Sequence, residues 1–181
     1  GDNLFYGNDL IDILRRADSR MKGATIFAYS VRDPERYGVV EFDNSGNVIS
    51  IEEKPKYPKS QYALTGLYFY DNSVVQYAKH IEMSSRGEFE ITSINQKYLK
   101  EKLLSVEVMG RGISWLDTGT FESLYDAGSF IRTLENRQGL KIGCPEEVAF
   151  RNCWINEEQL FKLAEPLLNS SYGKYLLDLS K

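Results

Sequence analysis

Strand-like and helix-like patterns alternate along the first two thirds of the chain. Apolar spacing predicts an amphipathic helix from Asn8 to about Gly23, and the apolar run 24–31 predicts a buried strand. Helices are predicted after Asn72 and Glu90, and further strand-like runs lie at 38–42, 47–51, 62–70 and 103–109. This alternation predicts an α/β fold with a largely buried mixed sheet, and it disfavours a β-sandwich or a helix bundle.

The pattern becomes purely helical after residue 120. Apolar residues recur at intervals of three and four from Phe121 to Leu134. Shorter helical patterns follow Pro145 and cover 156–164 and 172–179. We therefore predict an α/β part at 1–120 and a helical appendage at 121–181.

Composition and charge exclude two classes of partner. The 181 residues are 42% hydrophobic, which suits a folded domain with a core. The formal net charge of −4 makes a nucleic-acid backbone an unexpected partner, and no apolar run approaches the roughly 18 residues of a membrane span. An anionic substrate would need a few placed Lys or Arg residues, with or without a metal ion.

Cysteine and histidine are scarce, which limits the available chemistry. Cys144 and Cys153 provide no disulfide framework, so a reducing cytoplasm is the expected compartment. The single His80 excludes an HExxH zinc site. A Ser-His-Asp mechanism would depend on this residue, whose position at the end of a predicted surface helix indicates a solvated or capping role.

Two strands are interrupted at places where a ligand could bind. Gly66 interrupts the run 62–70 and predicts either a β-bulge or a close approach to a ligand. Glu53 and Lys54 end another strand before Pro55, where charged residues are usually solvated. Because side chains alternate along a strand, these two could reach one ligand only if the strand breaks before the proline.

Three further charged residues each have two interpretations. Arg86 precedes a predicted helix in a small-residue loop, where it could bind a phosphate or be solvated. Asp117 could face a ligand or metal from a strand end, or form an Asx turn before a helix capped by Thr120. Asp2 could likewise be a strand-end ligand or part of a terminus with no such role.

Taken together, six motifs in this order resemble the bacterial glucose-1-phosphate thymidylyltransferase family. The resemblance runs the whole length of the chain. The motifs are Gly1-Asp2-Asn3, Tyr37-Gly38-Val39, Glu52-Glu53-Lys54-Pro55, Thr65-Gly66-Leu67-Tyr68-Phe69-Tyr70, Arg86-Gly87-Glu88-Phe89-Glu90-Ile91-Thr92 and Trp115-Leu116-Asp117-Thr118-Gly119. It implies a partial Rossmann-like nucleotidyltransferase fold, with a mixed sheet and a C-terminal helical region used in homo-oligomer contacts.

The resemblance also implies an activity. Enzymes of this family join glucose 1-phosphate to dTTP, giving dTDP-glucose and pyrophosphate, an early step toward dTDP-rhamnose and polysaccharides. The implied mechanism is in-line attack of the sugar phosphate on the α-phosphorus of dTTP without a covalent enzyme intermediate. Catalysis of that kind depends mainly on positioning and on electrostatic stabilisation.

Individual roles follow from the same resemblance. Asp2 and Asp117 match ligands of Mg²⁺ and, with Arg86, form the implied catalytic set. The implied substrate contacts on 1–120 are Asn3, Gly38, Glu53, Lys54, Leu64, Tyr68, Arg86 and Trp115. Within this set, Glu53 would accept hydrogen bonds from sugar hydroxyls, and Lys54 and Arg86 would lie near the sugar phosphate. A regulatory nucleotide-sugar site is implied at Arg111, Glu147, Val148 and Arg151.

One part of the family pattern has no counterpart in these 181 residues. Family members carry a Gly-rich loop with an arginine, a catalytic lysine and the base-reading residues ahead of the motif at residues 1–3. We therefore expect a C-terminal portion of the enzyme that does not make dTDP-glucose by itself. Two alternatives stay open: a sugar-phosphate-binding or oligomerisation module without catalysis, and an enzyme that uses another nucleoside triphosphate.

Overall fold

The computed structural model describes residues 2–180, so Gly1 of the first motif lies outside the described residues. The chain divides into two compact units, Gly1–Gly119 and Thr120–Lys181. The first unit contains β1 (Asn3–Gly7), α1 (Leu10–Asp18), β2 (Ala24–Ser30), a 3₁₀ helix (Pro34–Arg36), β3 (Gly38–Phe42), β4 (Val48–Glu53), β5 (Tyr62–Tyr70), α2 (Val74–Lys79), α3 (Ile91–Lys100), β6 (Leu104–Met109) and β7 (Ile113–Asp117). The second contains α4 (Phe121–Gln138), α5 (Pro145–Arg151), α6 (Glu157–Ala164), a 3₁₀ helix (Glu165–Leu167) and α7 (Ser171–Asp178).

The strands of the first unit form two sheets. The larger has the order β4-β3-β5-β2-β6, with β2 parallel to β6 and the other neighbours antiparallel. The smaller pairs β1 with β7 in antiparallel orientation. The predicted α/β fold with a mixed sheet is therefore confirmed.

Two details differ from the predicted elements. Helix α1 ends at Asp18, five residues before Gly23, because Ser19 and Arg20 close it with backbone hydrogen bonds to Arg15 and Ala17. The sequence analysis suggests strand ends at Asp2 and Asp117 but does not delimit β1 and β7, which are five residues each and in which only Ile113 is buried. Their pairing, rather than local periodicity, makes them strands.

The interior strand β2, which lies between β5 and β6, is buried on both faces, as its continuous apolar run predicts. Phe27 packs against Ile13 and Ala17 of α1, whereas Ile26 and Ala28 face the second core cluster on the other side of the sheet. All five residues are no more than 5% exposed. Full burial of side chains as large as phenylalanine and isoleucine contributes roughly 1.5–3 kcal/mol each.

The second unit is helical throughout its regular structure, as predicted. The predicted N-cap Thr120 begins α4, and its side chain accepts a hydrogen bond from the Ser123 N–H in a capping box. Helices α5, α6 and α7 enclose a separate small core whose buried members are Cys144, Leu160, Ala164 and Leu176. Across residues 2–180, no helix combines the length and the apolarity that a membrane crossing requires.

A buried ion cluster joins α1 to β6. Glu107 is only 9% exposed, and it accepts hydrogen bonds from the guanidinium groups of Arg16 and Arg20. Burial alone would raise the pKa of Glu107, but the two arginine hydrogen bonds outweigh it and hold the pKa below its ordinary value. A depressed folded-state pKa gives stability that is present above the unfolded-state pKa and is lost as the pH falls through the folded-state value.

We expect Glu107→Gln to lower the free energy of unfolding at pH 7 by about 1–3 kcal/mol, since the charged hydrogen bonds are weakened. Because the ionisable group is removed, the variant should also lose less stability than the wild type between pH 5 and pH 3. Urea unfolding at a series of pH values measures both effects. Parallel pH profiles for the two proteins would contradict the assignment.

Candidate active site

A cavity of about 320 Å³ lies in the first unit where β1, β3, β4, β5 and β7 meet the start of α3. This volume lies within the range of roughly 300–1,000 Å³ typical of small-molecule sites. Nine of the predicted site residues line it: Asp2, Asn3, Gly38, Glu53, Lys54, Leu64, Tyr68, Trp115 and Asp117. A larger cavity of about 1290 Å³ lies beside β4, α3 and β6, and it contains none of the predicted site residues.

The β3–β4 hairpin brings its charged end to this cavity. Its register places Gly38 opposite Glu53. The Lys54 N–H still donates to the carbonyl of Tyr37 at 2.9 Å, but the strand ends there because Lys54 has a φ of +42°. The predicted break before Pro55 is thus present, and Glu53 and Lys54 both line the cavity.

Glu53 is held from two sides. Its Oε2 accepts a hydrogen bond from the Thr92 hydroxyl at the start of α3, and its Oε1 lies 3.7 Å from Nη1 of Arg86. Burial raises the pKa of the neighbouring Tyr68 to about 12, and the Glu53 charge adds to this effect. The Tyr68 phenol therefore stays neutral over the ordinary pH range and can donate a hydrogen bond.

Arg86 lies beside the cavity among carboxylates. Its guanidinium is 3.0 Å from Glu88 and 3.5 Å from Glu90, in addition to its contact with Glu53. The Arg86 side chain is 38% exposed. Arg86 is thus partly exposed with three carboxylate neighbours, and its contact with a phosphate stays a prediction. A phosphate that binds Arg86 would compete with the more exposed Glu88.

The pairing of β1 with β7 brings the two predicted metal ligands to the same edge. Asn3 pairs with Asp117, and the N–H and hydroxyl of Thr118 both donate to the carbonyl of Asp2. Asp117 Oδ1 accepts from the Gly119 N–H at 3.1 Å, as in an Asx turn, while the same side chain lines the cavity. The two interpretations of Asp117 therefore describe one conformation.

Asn3 connects the elements of this edge through its side-chain amide. Its Oδ1 accepts from Trp115 Nε1 at 2.6 Å and from the Gly66 N–H at 3.1 Å. Because both of these groups are donors only, the amide nitrogen must point the other way, where it donates to Asp2 Oδ1 at 2.9 Å. The Asn3 amide oxygen is thus already occupied within the protein.

Of the two predictions for Gly66, the β-bulge is observed, and the close approach to a ligand stays a prediction. The β2–β5 register shifts between Ile26 and Ala28, opposite Gly66, which forms the bulge. The close approach that the structure shows is to a side chain of the protein, since a Cβ at Gly66 would lie 2.2 Å from Nδ2 of Asn3.

Sequence reasoning missed Arg36, Thr65 and Thr92 as members of this cavity. Arg36 lies 2.9 Å from Asp33 and 3.8 Å from Asp117, and the Asp33 hydrogen bond raises the pKa of Arg36 further. The sequence signal for Arg36 was its place directly before the Tyr37-Gly38-Val39 motif. A threonine at a helix start gives no such signal, because it usually indicates a cap.

The predicted regulatory residues lie in different units. Arg111 follows β6 in the first unit, whereas Glu147, Val148 and Arg151 lie on α5 of the second. Glu147 pairs with Arg151 at 2.7 Å and accepts a hydrogen bond from the hydroxyl of Tyr175. Val148 is 52% exposed. Their regulatory role stays a prediction.

His80 and the cysteines lie outside the cavity. His80 is the exposed C-cap residue of α2, with its Nδ1 2.7 Å from the carbonyl of Gln76, in agreement with a capping role. Both cysteines are free thiols, Cys144 buried and Cys153 exposed.

Two carboxylates of the cavity are candidate ligands of a divalent cation. Residues 2–180 contain no group of three or more His, Cys, Asp and Glu side chains that could hold a metal by themselves. Asp2 and Asp117 nevertheless face the same cavity. A pair of carboxylates suits Mg²⁺, which is commonly bound by one or two carboxylates, substrate phosphates and water.

Several nucleotide-handling families could share a mixed sheet with a polar, partly charged cavity at its edge. Comparison with known sequences therefore decides to which family the chain belongs. The sequence model described as "Nucleotidyl transferase" matches residues 1–133, and the chain belongs to this family. The predicted nucleotidyltransferase membership is thereby confirmed.

Individual relatives show which enzymes of this family the chain resembles. The chain is 57% identical over all 181 residues to the glucose-1-phosphate thymidylyltransferase of Xanthomonas campestris pv. campestris, and it covers 61% of that protein. It is 52% identical over 181 residues to the enzyme of the same name from Neisseria meningitidis, with 63% of that protein covered. The chain spans about three fifths of the length of the curated relatives it matches.

A solved structure also matches. It is the crystal structure, at 2.76 Å, of a Bacillus anthracis protein assigned as a glucose-1-phosphate thymidylyltransferase, in complex with a sucrose. The match has a TM-score of 0.63 and 43% sequence identity, and it covers 71% of this chain and 51% of that chain. Fold and sequence similarity therefore agree.

Proposed function

We propose that this chain provides the sugar-phosphate site of a glucose-1-phosphate thymidylyltransferase, which converts glucose 1-phosphate and dTTP to dTDP-glucose and pyrophosphate. One observation carries the proposal: groups from five strands and a helix start converge on one cavity of suitable size. The names of the relatives support the choice of substrates. A thymidine nucleotide is preferred to other bases on that similarity alone.

Binding of the sugar would use the wall formed by β3, β4 and β5. Glu53 accepts hydrogen bonds from ring hydroxyls, while Tyr68 and Trp115 form aromatic walls. The backbone at Leu64 and Gly38 provides main-chain contacts. Gly38 suits this role because a Cβ there would lie 3.2 Å from atoms of Glu53, Leu64 and Thr92.

The charge of the phosphate would be balanced locally, as the acidic composition requires. Lys54 and Arg86 provide cations near the sugar phosphate, whose oxygen then attacks the α-phosphorus of dTTP in line with the leaving pyrophosphate. Asp2 and Asp117 would hold Mg²⁺, which when bound neutralises negative charge on the phosphates. These residues act by positioning and electrostatics, and none forms a covalent bond to the substrate.

The second unit would serve assembly and regulation. Its surface exposes several large apolar side chains, including Phe121, Tyr125 and Trp154, which are 96%, 75% and 72% exposed. Exposed apolar groups of this number favour a protein contact, and we assign it to a second copy of the chain. A regulatory role for Arg111 of the first unit, and for Glu147, Val148 and Arg151 of the second, is proposed from the family resemblance alone. The expected cytoplasmic location suits its soluble substrates.

The Glu53→Ala variant tests the sugar site. Calorimetry on the full-length protein should show glucose 1-phosphate binding weakened roughly 10- to 100-fold, because hydrogen bonds to a charged group contribute about 1.5–3 kcal/mol. Glu52→Ala is the matched control, since Glu52 is the exposed neighbour on the same strand and lies outside the cavity.

Three outcomes discriminate between the functions. Selective loss in Glu53→Ala supports the proposed sugar site. Equal effects of the two variants would contradict the placement of the sugar at Glu53. Absence of glucose 1-phosphate binding by the wild type would overturn the proposed function and leave an assembly role.

A further inference from the structure

We infer that Thr92 is a positioning residue that holds the Glu53 carboxylate in the orientation needed to accept hydrogen bonds from sugar hydroxyls. The inference rests on the proposed function, because it assigns a purpose to the geometry around the sugar-binding carboxylate. Thr92 belongs to the last residues of the fifth family motif, but neither the motif nor the resemblance gives it a role.

The contact between the two side chains is directional and buried on the Thr92 side. Thr92 is the second residue of α3 and is 2% exposed, and its hydroxyl donates to Glu53 Oε2. The residue four positions earlier lies outside the helix, so a helical carbonyl does not compete for the hydroxyl. A hydrogen bond from a hydroxyl to a carboxylate is charge-assisted and stronger than one between neutral groups.

This hydrogen bond fixes a side chain that would otherwise be mobile. Glu53 is the last residue of β4, directly before the break at Lys54, so the strand continues on one side only. With Oε2 held by Thr92, Oε1 is directed toward Arg86 at 3.7 Å. Ordering a glutamate side chain costs up to about 2 kcal/mol of rotamer entropy, and a carboxylate ordered in advance spares the ligand that cost.

Packing around Gly38 supports the same assignment. A Cβ at Gly38 would meet Glu53 Oε2 and Thr92 Oγ1 at the same distance of 3.2 Å. The hydrogen-bonded pair therefore lies directly against the backbone that would contact the sugar. The other buried threonine of the cavity, Thr65, differs, since its hydroxyl has no hydrogen-bond partner among the described residues.

The test compares variants of Thr92 in the whole chain described here, with glucose 1-phosphate binding measured by calorimetry. Thr92→Val keeps the shape and removes the donor, so binding should weaken roughly 5- to 20-fold. Thr92→Ser keeps the donor and should stay within about threefold of the wild type. In the Glu53→Ala background, Thr92→Val should have no further effect, because the group that it positions is absent.

Thr25→Val is the matched structural control. Thr25 is 2% exposed and accepts a hydrogen bond from Arg20 at 3.4 Å, but it lies outside the cavity. Its substitution should leave glucose 1-phosphate binding unchanged. If Thr92→Val unfolds at a markedly lower temperature than the wild type, Thr92→Ala replaces it, because alanine removes the donor without adding a methyl group beside the carboxylate.

The failures of the two proposals are distinguishable. Wild-type binding in a Thr92→Val or Thr92→Ala protein that remains folded would overturn the positioning role, while the Glu53 site would stand. An equal weakening by Thr92→Val with and without Glu53 would also overturn it, since the two residues would then act independently. A wild-type protein that does not bind glucose 1-phosphate would overturn both proposals.

Discussion

Gly173→Ala should destabilise the second unit by about 3–5 kcal/mol. A Cβ at Gly173 would lie 2.2 Å from the carbonyl oxygen of Leu167 and 2.8 Å from the backbone nitrogen of Leu168. Backbone atoms cannot rotate away as a side chain could, so α7 would have to leave the preceding 3₁₀ helix. That displacement would open the core around Leu176, which is fully buried, at a cost near the upper end of the range for overpacked or disrupted cores.

Gly128→Ala is the control that shows whether the destabilisation by Gly173→Ala comes from the contact at Gly173. Gly128 lies within α4 of the same unit, and an added Cβ would meet no atom within 4 Å. Alanine there should stabilise the helix by roughly 0.5–1 kcal/mol, since glycine has the poorer helix propensity. Chemical denaturation of both variants measures the difference. Destabilisation of similar size in both would show that the contact at Gly173 is not the cause.

Gly66→Ala should damage the candidate site and the first unit together. Its Cβ would lie 2.2, 2.6 and 2.9 Å from the three terminal atoms of the Asn3 side chain. That amide cannot rotate freely, because it bonds Trp115, Asp2 and the Gly66 backbone. Loss of these hydrogen bonds should reduce stability by about 2–4 kcal/mol and glucose 1-phosphate affinity at least about tenfold.

Gly110→Ala provides the comparison for this experiment. Gly110 lies between β6 and β7 of the same unit, and a Cβ there would have open space. Its variant should bind and unfold almost as the wild type does. Thermal unfolding together with calorimetry separates the two effects of Gly66→Ala, and unchanged affinity in that variant would show that the Asn3 network does not support the site.

Local elements were predictable from the sequence because each has its own periodicity. The apolar run at β2 has the length of a buried strand, and the apolar residues along α4 recur with helical spacing. The pairing order was not predictable, since hydrophobic alternation does not identify a strand's neighbour. The same limit explains β1 and β7, whose short sequences become strands only by pairing with each other.

The candidate site likewise combines features that were predictable from local sequence with features that only tertiary pairing produces. Glu53 and Lys54 are adjacent in sequence, so their presence in one cavity depended only on a local break that the proline signalled. The convergence of Asp2 and Asp117 on one cavity depends on tertiary pairing, and only family resemblance suggested it beforehand. The role of Asn3 depends on two hydrogen bonds that it accepts from β5 and β7, which no local pattern encodes.

The two-stranded sheet has a consequence for the order in which the site assembles. β1 and β7 are the sequence-distant ends of the first unit, and closing so long a loop delays their contact during folding. A two-stranded sheet is also marginally stable unless other elements support it. Here other elements do support it, because Ile113 of β7 is buried in the core cluster that contains Phe27 of β2, and Phe5 of β1 packs against that cluster. We therefore expect the edge carrying Asp2 and Asp117 to lose its structure together with this core, so that binding competence and the fold are lost at a similar free-energy cost.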